Sequence, residues 1–153
     1  MANTNKYATL DQLKATYSKN LLIRLSNFND EDDFADYQND NLTNALQDAS
    51  DIMDGYLMER YDTPLNPAPD FFKPDCMTIA VMKLVERKGY LPDSPDEQLY
   101  QAGKDLIRDR YLKISEGKIT ISIPDGSGEA SASVQVQSTA PTKVFTSATL
   151  DKF

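Results

Sequence analysis

The stretch from residue 76 to residue 85 narrows the possible folds of this chain more than any other. Eight of its ten residues are apolar, and they fall on every side of a helical wheel. A helix of this kind has to be surrounded by other elements, so we expect it at the centre of a helical bundle. Asp70 is a candidate cap, Gly89 is a stop signal, and Pro74 is tolerable only in the first turn. The pattern predicts a helix over 70–88.

The clearest amphipathic pattern lies just before this segment. Apolar residues recur at three- and four-residue spacing from Leu42 to Leu57, and polar and acidic side chains fill the opposite side. This spacing predicts a helix over 42–61 that is capped by Asn41. Gly55 within a helix is destabilising by roughly 1 kcal/mol relative to alanine, so its presence indicates a close approach of another helix.

A second flanking helix is indicated after the central one. Ser94 stands before Pro95 and two acidic residues, which is a strong start signal. Apolar residues then continue at helical spacing, and Gly117 follows the last of them. The sequence therefore predicts a helix over 95–116.

Two shorter helices are predicted near the N-terminus. Thr9 and Gln12 have the spacing of a capping box, and the apolar run over 21–25 lies among capping residues rather than hairpin turns. With the three longer helices they predict a mainly α fold, a small helical bundle whose body covers residues 1–117. The remaining residues, 118–153, are expected to form a strand, a flexible linker and a docking arm.

Two segments are not expected to be helical. Three prolines lie between residues 62 and 69, and proline restricts both itself and the preceding residue to extended conformations. Polar and apolar residues alternate from Lys118 to Ile123, which is typical of a strand. We expect a short C-terminal β-strand or hairpin there. A lone strand needs a pairing edge, from this chain or from a neighbouring subunit.

The last thirty residues separate into a linker and an arm. Residues 124–133, rich in glycine, serine and alanine, have the composition of a flexible linker. The arm, 134–153, carries a few spaced apolar side chains that are too few to form a core of their own. Such a segment either folds back onto its own body or becomes ordered on a partner. The pattern favours a neighbouring chain, and both readings stay open.

Composition argues against the usual catalytic chemistry. The chain has no histidine and a single cysteine, Cys76, so it lacks the commonest general base and zinc ligand and cannot form an internal disulfide. Paired carboxylates at Asp48, Asp51 and Asp54 have no accompanying base, and we interpret them as a solvated acidic face. We expect no enzyme, no metal and no cofactor, and we expect Cys76 to be an inert buried thiol.

Charge and hydropathy limit the possible partners. The formal net charge is −8, and no segment is strongly basic, so sequence-specific nucleic-acid binding is not expected. No apolar run approaches the roughly 20 residues of a membrane helix, and the N-terminus does not resemble a secretory signal. The acidic segment starting at Asp30 fails the EF-hand pattern, since Ala35 and Asn41 occupy its glycine and glutamate positions. A cytoplasmic site of synthesis is expected.

The order of these motifs resembles the head–tail connector (neck adaptor) family of tailed bacteriophages, in the branch of Mu-like head-completion proteins. The resemblance covers nearly the whole chain, and its most specific part is the helix end that feeds a multi-proline connection. The residues that carry it are Tyr7, Ala8, Thr9, Leu10, Leu13, Ala45, Leu46, Asp48, Ala49, Asp54, Gly55, Tyr56, Leu57, Arg60, Tyr61, Pro64, Leu65, Pro67, Pro69, Arg110, Tyr111, Gly117, Lys118, Val144, Phe145, Thr146, Leu150 and Phe153.

The resemblance implies a virion structural protein of the neck, between head and tail. It implies a homo-oligomeric ring of twelve beneath the portal protein, which extends the DNA channel and receives a stopper or tail-completion protein. DNA would pass through as non-specific cargo. The alternative is a tail-side completion protein or an assembly factor that is not retained in such a ring.

Residue patterns and resemblance together give one set of candidate interface residues. They come from the end of the helix predicted over 42–61, the proline connection, the predicted strand and the arm. These residues are Arg60, Tyr61, Pro64, Pro67, Ile119, Ile121, Val134, Val136, Val144, Phe145, Leu150 and Phe153.

Overall fold

A computed structural model describes residues 7–28 and 36–123 of the 153-residue chain. The acidic residues 29–35, the predicted linker 124–133 and the predicted arm 134–153 lie outside the described residues. The described part contains six α-helices and one π-helical segment. These are α1 Leu10–Thr16, α2 Lys19–Ser26, α3 Asn39–Leu57, α4 Phe72–Lys88, α5 Pro95–Leu106, the π-helical segment Ile107–Tyr111 and α6 Leu112–Ser115.

Helix α4 lies at the centre of the bundle, as its apolar composition predicts. It contacts α2, α3 and α5, and its side chains from Cys76 to Val85 are buried apart from Thr78 and Lys83, which are half-buried. Helices α1 and α2 also pack on α3, so a single core extends across all the helices. The mainly α fold is confirmed for the described residues. None of these helices combines the length and apolarity needed to cross a membrane.

Several predicted helix boundaries are confirmed at the level of single hydrogen bonds. Thr9 and Gln12 form the reciprocal capping box at the start of α1. The Ser94 hydroxyl accepts a hydrogen bond of 3.2 Å from the Glu97 amide, with Pro95 at the first helical position of α5. Gly117, beyond the end of α6, has a φ of +75°, which favours glycine.

The start of α3 differs from the prediction. Asn41 does not cap the helix, which begins at Asn39. The Asn41 side chain instead donates a hydrogen bond of 2.7 Å to the Ser26 carbonyl, and the Gln38 amide donates to the Ser26 hydroxyl over 3.1 Å. The end of α2 therefore fixes the start of α3, a long-range contact that local sequence does not reveal.

The end of α3 and the start of α4 also differ from the prediction. Helix α3 ends at Leu57, and residues 58–60 form a turn rather than the last helical turn predicted to reach 61. Helix α4 begins at Phe72, and the exposed Asp70 does not cap it. In the proline connection between them, the peptide bonds before Pro64 and Pro67 are cis.

The predicted strand over 118–123 is wrong, since no strand forms within the described residues. Three of the six amides in this segment have other acceptors. Lys118 and Ile119 donate to the Lys113 carbonyl at 2.8 and 3.2 Å, and Ile121 donates to the Tyr61 hydroxyl at 2.9 Å. The end of α6 and Tyr61 therefore hold residues 118–121 in place.

The two helical glycines have opposite environments. Gly55 is exposed, and a Cβ placed on it would have nothing within 4 Å, so the predicted close approach of another helix of this chain is wrong. Gly103 in α5 is buried, and a Cβ there would lie 2.5 Å from the Cβ of Met82 in α4. The close approach between helices that the fold uses is therefore at Gly103.

Alanine substitution at the two glycines should have opposite effects on stability. We expect Gly103→Ala to lower the free energy of unfolding by about 1–3 kcal/mol, because the added methyl group overpacks the contact between α4 and α5. Gly55→Ala should raise it by about 0.5–1 kcal/mol through helix propensity. Urea unfolding followed by circular dichroism measures both, and a stabilising Gly103→Ala would contradict the packing described.

Candidate assembly surface

A buried tyrosine–carboxylate contact holds the start of the described chain. The Tyr7 hydroxyl donates to the carboxylate of Asp54 in α3, which is 9% exposed. The same hydroxyl accepts a hydrogen bond of 3.1 Å from the Leu65 amide in the proline connection. One phenol therefore joins the N-terminal segment, α3 and the connection. Burial and the neighbouring Asp54 carboxylate raise the pKa of Tyr7 well above its ordinary value.

A second buried carboxylate holds the C-terminal end of the bundle. Asp75, in the first turn of α4, is 6% exposed and accepts two contacts from the Arg110 guanidinium at 2.6 and 2.7 Å. It also accepts a hydrogen bond of 2.9 Å from the Tyr111 hydroxyl. Burial and the charge of Asp75 raise the pKa of Tyr111 far above its ordinary value. Arg110 and Tyr111, which are adjacent in the π-helical segment, thus both bind the Asp75 carboxylate.

Phe72 lies between these two contacts. Its ring is 5.0 Å from the Tyr7 ring in an edge-on arrangement and 6.0 Å from the Tyr111 ring. Aromatic pairs at such separations are stabilising beyond the area they bury. The N-terminal segment and the π-helical segment therefore meet at the first residue of α4.

An open apolar groove of about 730 Å³ lies beside this cluster, and we call it the exit groove. The Arg110 guanidinium lies 5.2 Å from the Phe71 ring at its edge. The described chain ends within it, at Ile123. The residues that line it are Pro69, Asp70, Phe71, Arg110, Ile114, Ile119, Thr120, Ile121, Ser122 and Ile123.

Some of the candidate interface residues converge near this groove. Tyr61 holds Ile121 through its hydroxyl, and Ile121 is buried while Ile119 remains 37% exposed. The Arg60 guanidinium packs directly over Gly117, where a side chain would collide with it. Arg60 and Tyr61 therefore position the last described residues of their own chain.

The other candidate interface residues are placed differently. Pro64 and Pro67 are exposed on the connection and do not line the exit groove. The arm residues lie outside the described residues, so their role in an interface stays a prediction. They are Val134, Val136, Val144, Phe145, Leu150 and Phe153.

Local sequence pattern identifies neither buried acid. The predicted solvated acidic face of Asp48, Asp51 and Asp54 is wrong for Asp54, because Tyr7 covers it. Asp48 and Asp51 do reach solvent, and Asp48 pairs with Arg87 at 3.1 Å. Asp75 could have been found, since a carboxylate beside an all-round apolar helix has to be paired.

A second groove, of about 720 Å³, lies between α3 and α5 with α4 as its floor, and we call it the α3–α5 groove. Helix α3 contacts α6 and the π-helical segment, while α5 packs mainly on α4. Tyr56 of α3, Met82 of α4 and Tyr100 of α5 line it. Five charged side chains line it as well, and they are Glu59, Lys83, Glu86, Lys104 and Arg108.

The remaining titratable groups have structural environments. Cys76 is buried beside Ser50, as expected for an inert thiol, and burial raises its pKa to about 11. Arg24 of α2 binds Asp96 of α5 through two hydrogen bonds of 2.6 and 2.7 Å and lowers the pKa of that carboxyl. Within residues 7–28 and 36–123, histidine, cysteine and acidic side chains form no group of three that could hold a metal ion.

Comparison with known proteins gives two matches. The family model described as "Bacteriophage Mu, Gp36" matches residues 7–140. A protein of Escherichia phage Mu, described as "Gene product J", is 33% identical over 141 residues, which cover 88% of this chain and 92% of the relative. The family match includes every residue that the structure describes.

Removing Arg110 should destabilise the fold, because Asp75 would remain buried without its cation. We expect Arg110→Ala to lower the free energy of unfolding by about 2 kcal/mol, less than for a fully buried pair because Arg110 is partly exposed. Arg108→Ala is the matched control, since Arg108 pairs with Asp105 and Asp109 at the surface. Equal midpoints for both variants in urea would show that the Asp75 contact is unimportant.

Stability should also fall at alkaline pH. Both phenols are protonated in the folded and unfolded chains below about pH 10, so their contribution is fully present there. Above pH 10 the unfolded chain loses these protons first, and each tyrosine should remove up to about 1.4 kcal/mol per pH unit. Denaturant titrations between pH 8 and roughly pH 12 should therefore show a shallower decline for Tyr7→Phe/Tyr111→Phe than for the wild type. Tyr90→Phe, at an exposed ring, is the control.

Proposed function

This chain belongs to the bacteriophage Mu Gp36 family, and from that premise we propose that it is a non-enzymatic structural subunit of the phage particle. Its role is that of a head–tail connector in the neck, assembled as a ring beneath the portal protein. The ring extends the DNA channel and receives a stopper or tail-completion protein. No cofactor is needed, and DNA passes through the channel without being read.

The exit groove is the observation that carries this proposal. Its apolar side chains remain partly open to solvent, with Phe71 and Ile119 each 37% exposed. The described chain ends in this groove, and the following thirty residues include six valine, leucine and phenylalanine side chains. An apolar surface at this position, continued by an apolar segment, suits a subunit that grips other protein chains.

The fixed position of residues 118–121 supports the same role. Tyr61 and the end of α6 fix residues 118–121, so the described chain ends at one defined place on the body. In a closed ring, every subunit presents the same surfaces to its neighbours. A fixed point of departure therefore aims each arm at the same partner surface, on the next copy or on the portal.

The charge of the chain is compatible with a DNA conduit. With a net charge of −8, a ring of many copies is strongly acidic. Like charges along a channel disfavour contacts with phosphates, which lets DNA slide without binding. The acidic charge therefore supports a passage for DNA rather than a nucleic-acid binding site.

The arm can be tested without shortening the chain. In one variant, serine replaces all six apolar arm residues; in a matched control, serine replaces the polar residues Gln135, Gln137, Thr139 and Thr142. We expect the variant that lacks the six apolar arm residues to keep the thermal stability of the body. Its incorporation into particles should fall by about tenfold or more. Quantitative mass spectrometry of purified particles measures incorporation against the portal protein.

The outcomes separate the two candidate functions. A wild-type chain present in particles in a fixed ratio to the portal supports the connector. Complete absence from mature particles contradicts it and favours an assembly factor that is not retained. Equal incorporation of the variant that lacks the apolar arm residues and of its control would show that the arm does not dock.

A further inference from the structure

The α3–α5 groove is an apolar surface that the described part of the chain leaves open. Five of its apolar side chains are half-buried or exposed, and they are Ile52, Tyr56, Tyr100, Ile107 and Leu112. Leu112 is 38% exposed. Contiguous apolar surface with a polar rim marks a site where another chain binds.

Gly55 widens this groove on its α3 side. It lies inside a helix, where glycine is unfavourable, and it does not have a positive φ that would require glycine. A Cβ built on it would have nothing within 4 Å. The missing side chain leaves the α3 backbone open to the groove, so the backbone of a bound segment could come close to it.

The charges around the groove are largely balanced within the chain. Lys83 pairs with Glu86. Arg108 pairs with Asp105 and Asp109. The groove therefore suits an occupant with several apolar side chains and few charges, since a strongly charged segment would lose its hydration there without a free partner.

The arm, residues 134–153, has this composition. It carries six valine, leucine and phenylalanine side chains but only two lysines and one aspartate. The whole chain has a net charge of −8, so the arm is slightly positive while the rest of the chain is acidic. The body of a neighbouring copy should therefore attract the arm rather than repel it.

The length of the arm also fits the groove. The residues of α5 and α6 that line the groove run from Tyr100 to Ser115, over about 22 Å of helix. A segment of about seven residues in extended conformation covers this length. Residues 144–150 are such a segment, with apolar residues at both ends. Residues 124–143 can span up to about 65 Å, which is enough to reach a neighbouring body.

The described chain ends on a different side of the same helical segment. Arg110 and Ile114 line the exit groove. Arg108, Leu112 and Ser115 line the α3–α5 groove. Side chains two residues apart in a helix point to nearly opposite sides. The end of the described chain and the α3–α5 groove are therefore separate surfaces, so one copy can reach a neighbour with its arm and receive another arm in its groove.

We propose that the arm of one copy docks in the α3–α5 groove of the next copy, with residues 144–150 along the groove. Val144, Phe145 and Leu150 would cover its open apolar side chains, and the backbone of the arm would pass close to Gly55. A contact between two different surfaces is heterologous and continues from copy to copy until a ring closes. This inference rests on the proposed function and names the surface that the arm would bind.

Photo-cross-linking tests this contact directly. The full-length chain carries Phe145→benzoylphenylalanine, a photoreactive substitution that keeps an aromatic ring, and is irradiated in solution and in purified particles. A denaturing gel separates a dimer, in which the arm has bound another copy, from a monomer, in which it has bound its own body. Mass spectrometry of the digested dimer should find the arm attached within residues 52–59 or 100–115. The control is Ala15→benzoylphenylalanine, at an exposed position of α1 that does not line the groove.

A steric variant of the photoreactive chain gives a second measurement. Gly55→Leu has room within the monomer and should keep its thermal stability, but the leucine would fill part of the groove. The yield of the dimer should therefore fall by about tenfold or more. Ala102→Leu adds the same side chain at an exposed position of α5 that does not line the groove, and it should leave the yield unchanged.

The outcomes separate this inference from the proposed function. A dimer with the arm attached to the groove, reduced by Gly55→Leu, supports the inference. Attachment to the same copy or to another surface, a yield no higher than from the Ala15 control, or an undiminished yield from a folded Gly55→Leu chain would overturn it. Attachment to the portal protein would reject the groove but keep the connector role. A groove dimer in solution from a chain that is absent from particles would keep the contact and reject the connector role.

Discussion

Two carboxylates inside the helical bundle determine how the rest of the chain is arranged. An acid that is less than a tenth exposed is stable only when donors surround it, and here the donors come from distant parts of the sequence. Tyr7 reaches Asp54 from the N-terminal segment, and Arg110 and Tyr111 reach Asp75 from the π-helical segment. The N-terminal segment and the π-helical segment are thereby held against α3 and α4, on either side of Phe72.

The held segments suit this small body to the proposed assembly role. The proline connection is held through Leu65, and the segment after α6 is held through Tyr61, so the surfaces that surround them are preformed. A preformed surface loses less entropy on binding than one that has to be ordered at that moment. In the proposed ring, the body would supply a rigid surface, and the C-terminal arm would bind the partner chain.

The features that sequence predicts well are those set by local pattern. The central position of α4 follows from its apolar composition, and the caps at Thr9 and Ser94 follow from short-range spacing. The features it misses depend on partners far away in the chain. Asn41 is a typical capping residue, but its side chain donates to the Ser26 carbonyl instead. Residues 118–123 alternate as in a strand, but the Tyr61 hydroxyl and the Lys113 carbonyl accept hydrogen bonds from three of their amides.

The candidate site shows the same division. Pattern alone singles out Tyr61, Ile119 and Ile121, which do meet near the exit groove. Pattern cannot show that Arg60 covers Gly117, nor that the acid at position 54 is buried while the acid at 51 is exposed, because helical spacing places both on polar positions. Only the fold decides which of two neighbouring acids a distant tyrosine will cover.

The π-helical segment Ile107–Tyr111 has a consequence for how this chain tolerates change in length. Such a segment holds one extra residue in a wider turn, so the helix that follows keeps nearly the phase of an uninterrupted α-helix. A chain that loses one residue there can close into a regular α-helix with Ile114 of α6 still facing the core. The loss of one residue from a regular turn of α5 would instead rotate everything that follows by about 100°. A change in length by one residue should therefore be tolerated better in this wide turn than in the regular helix before it.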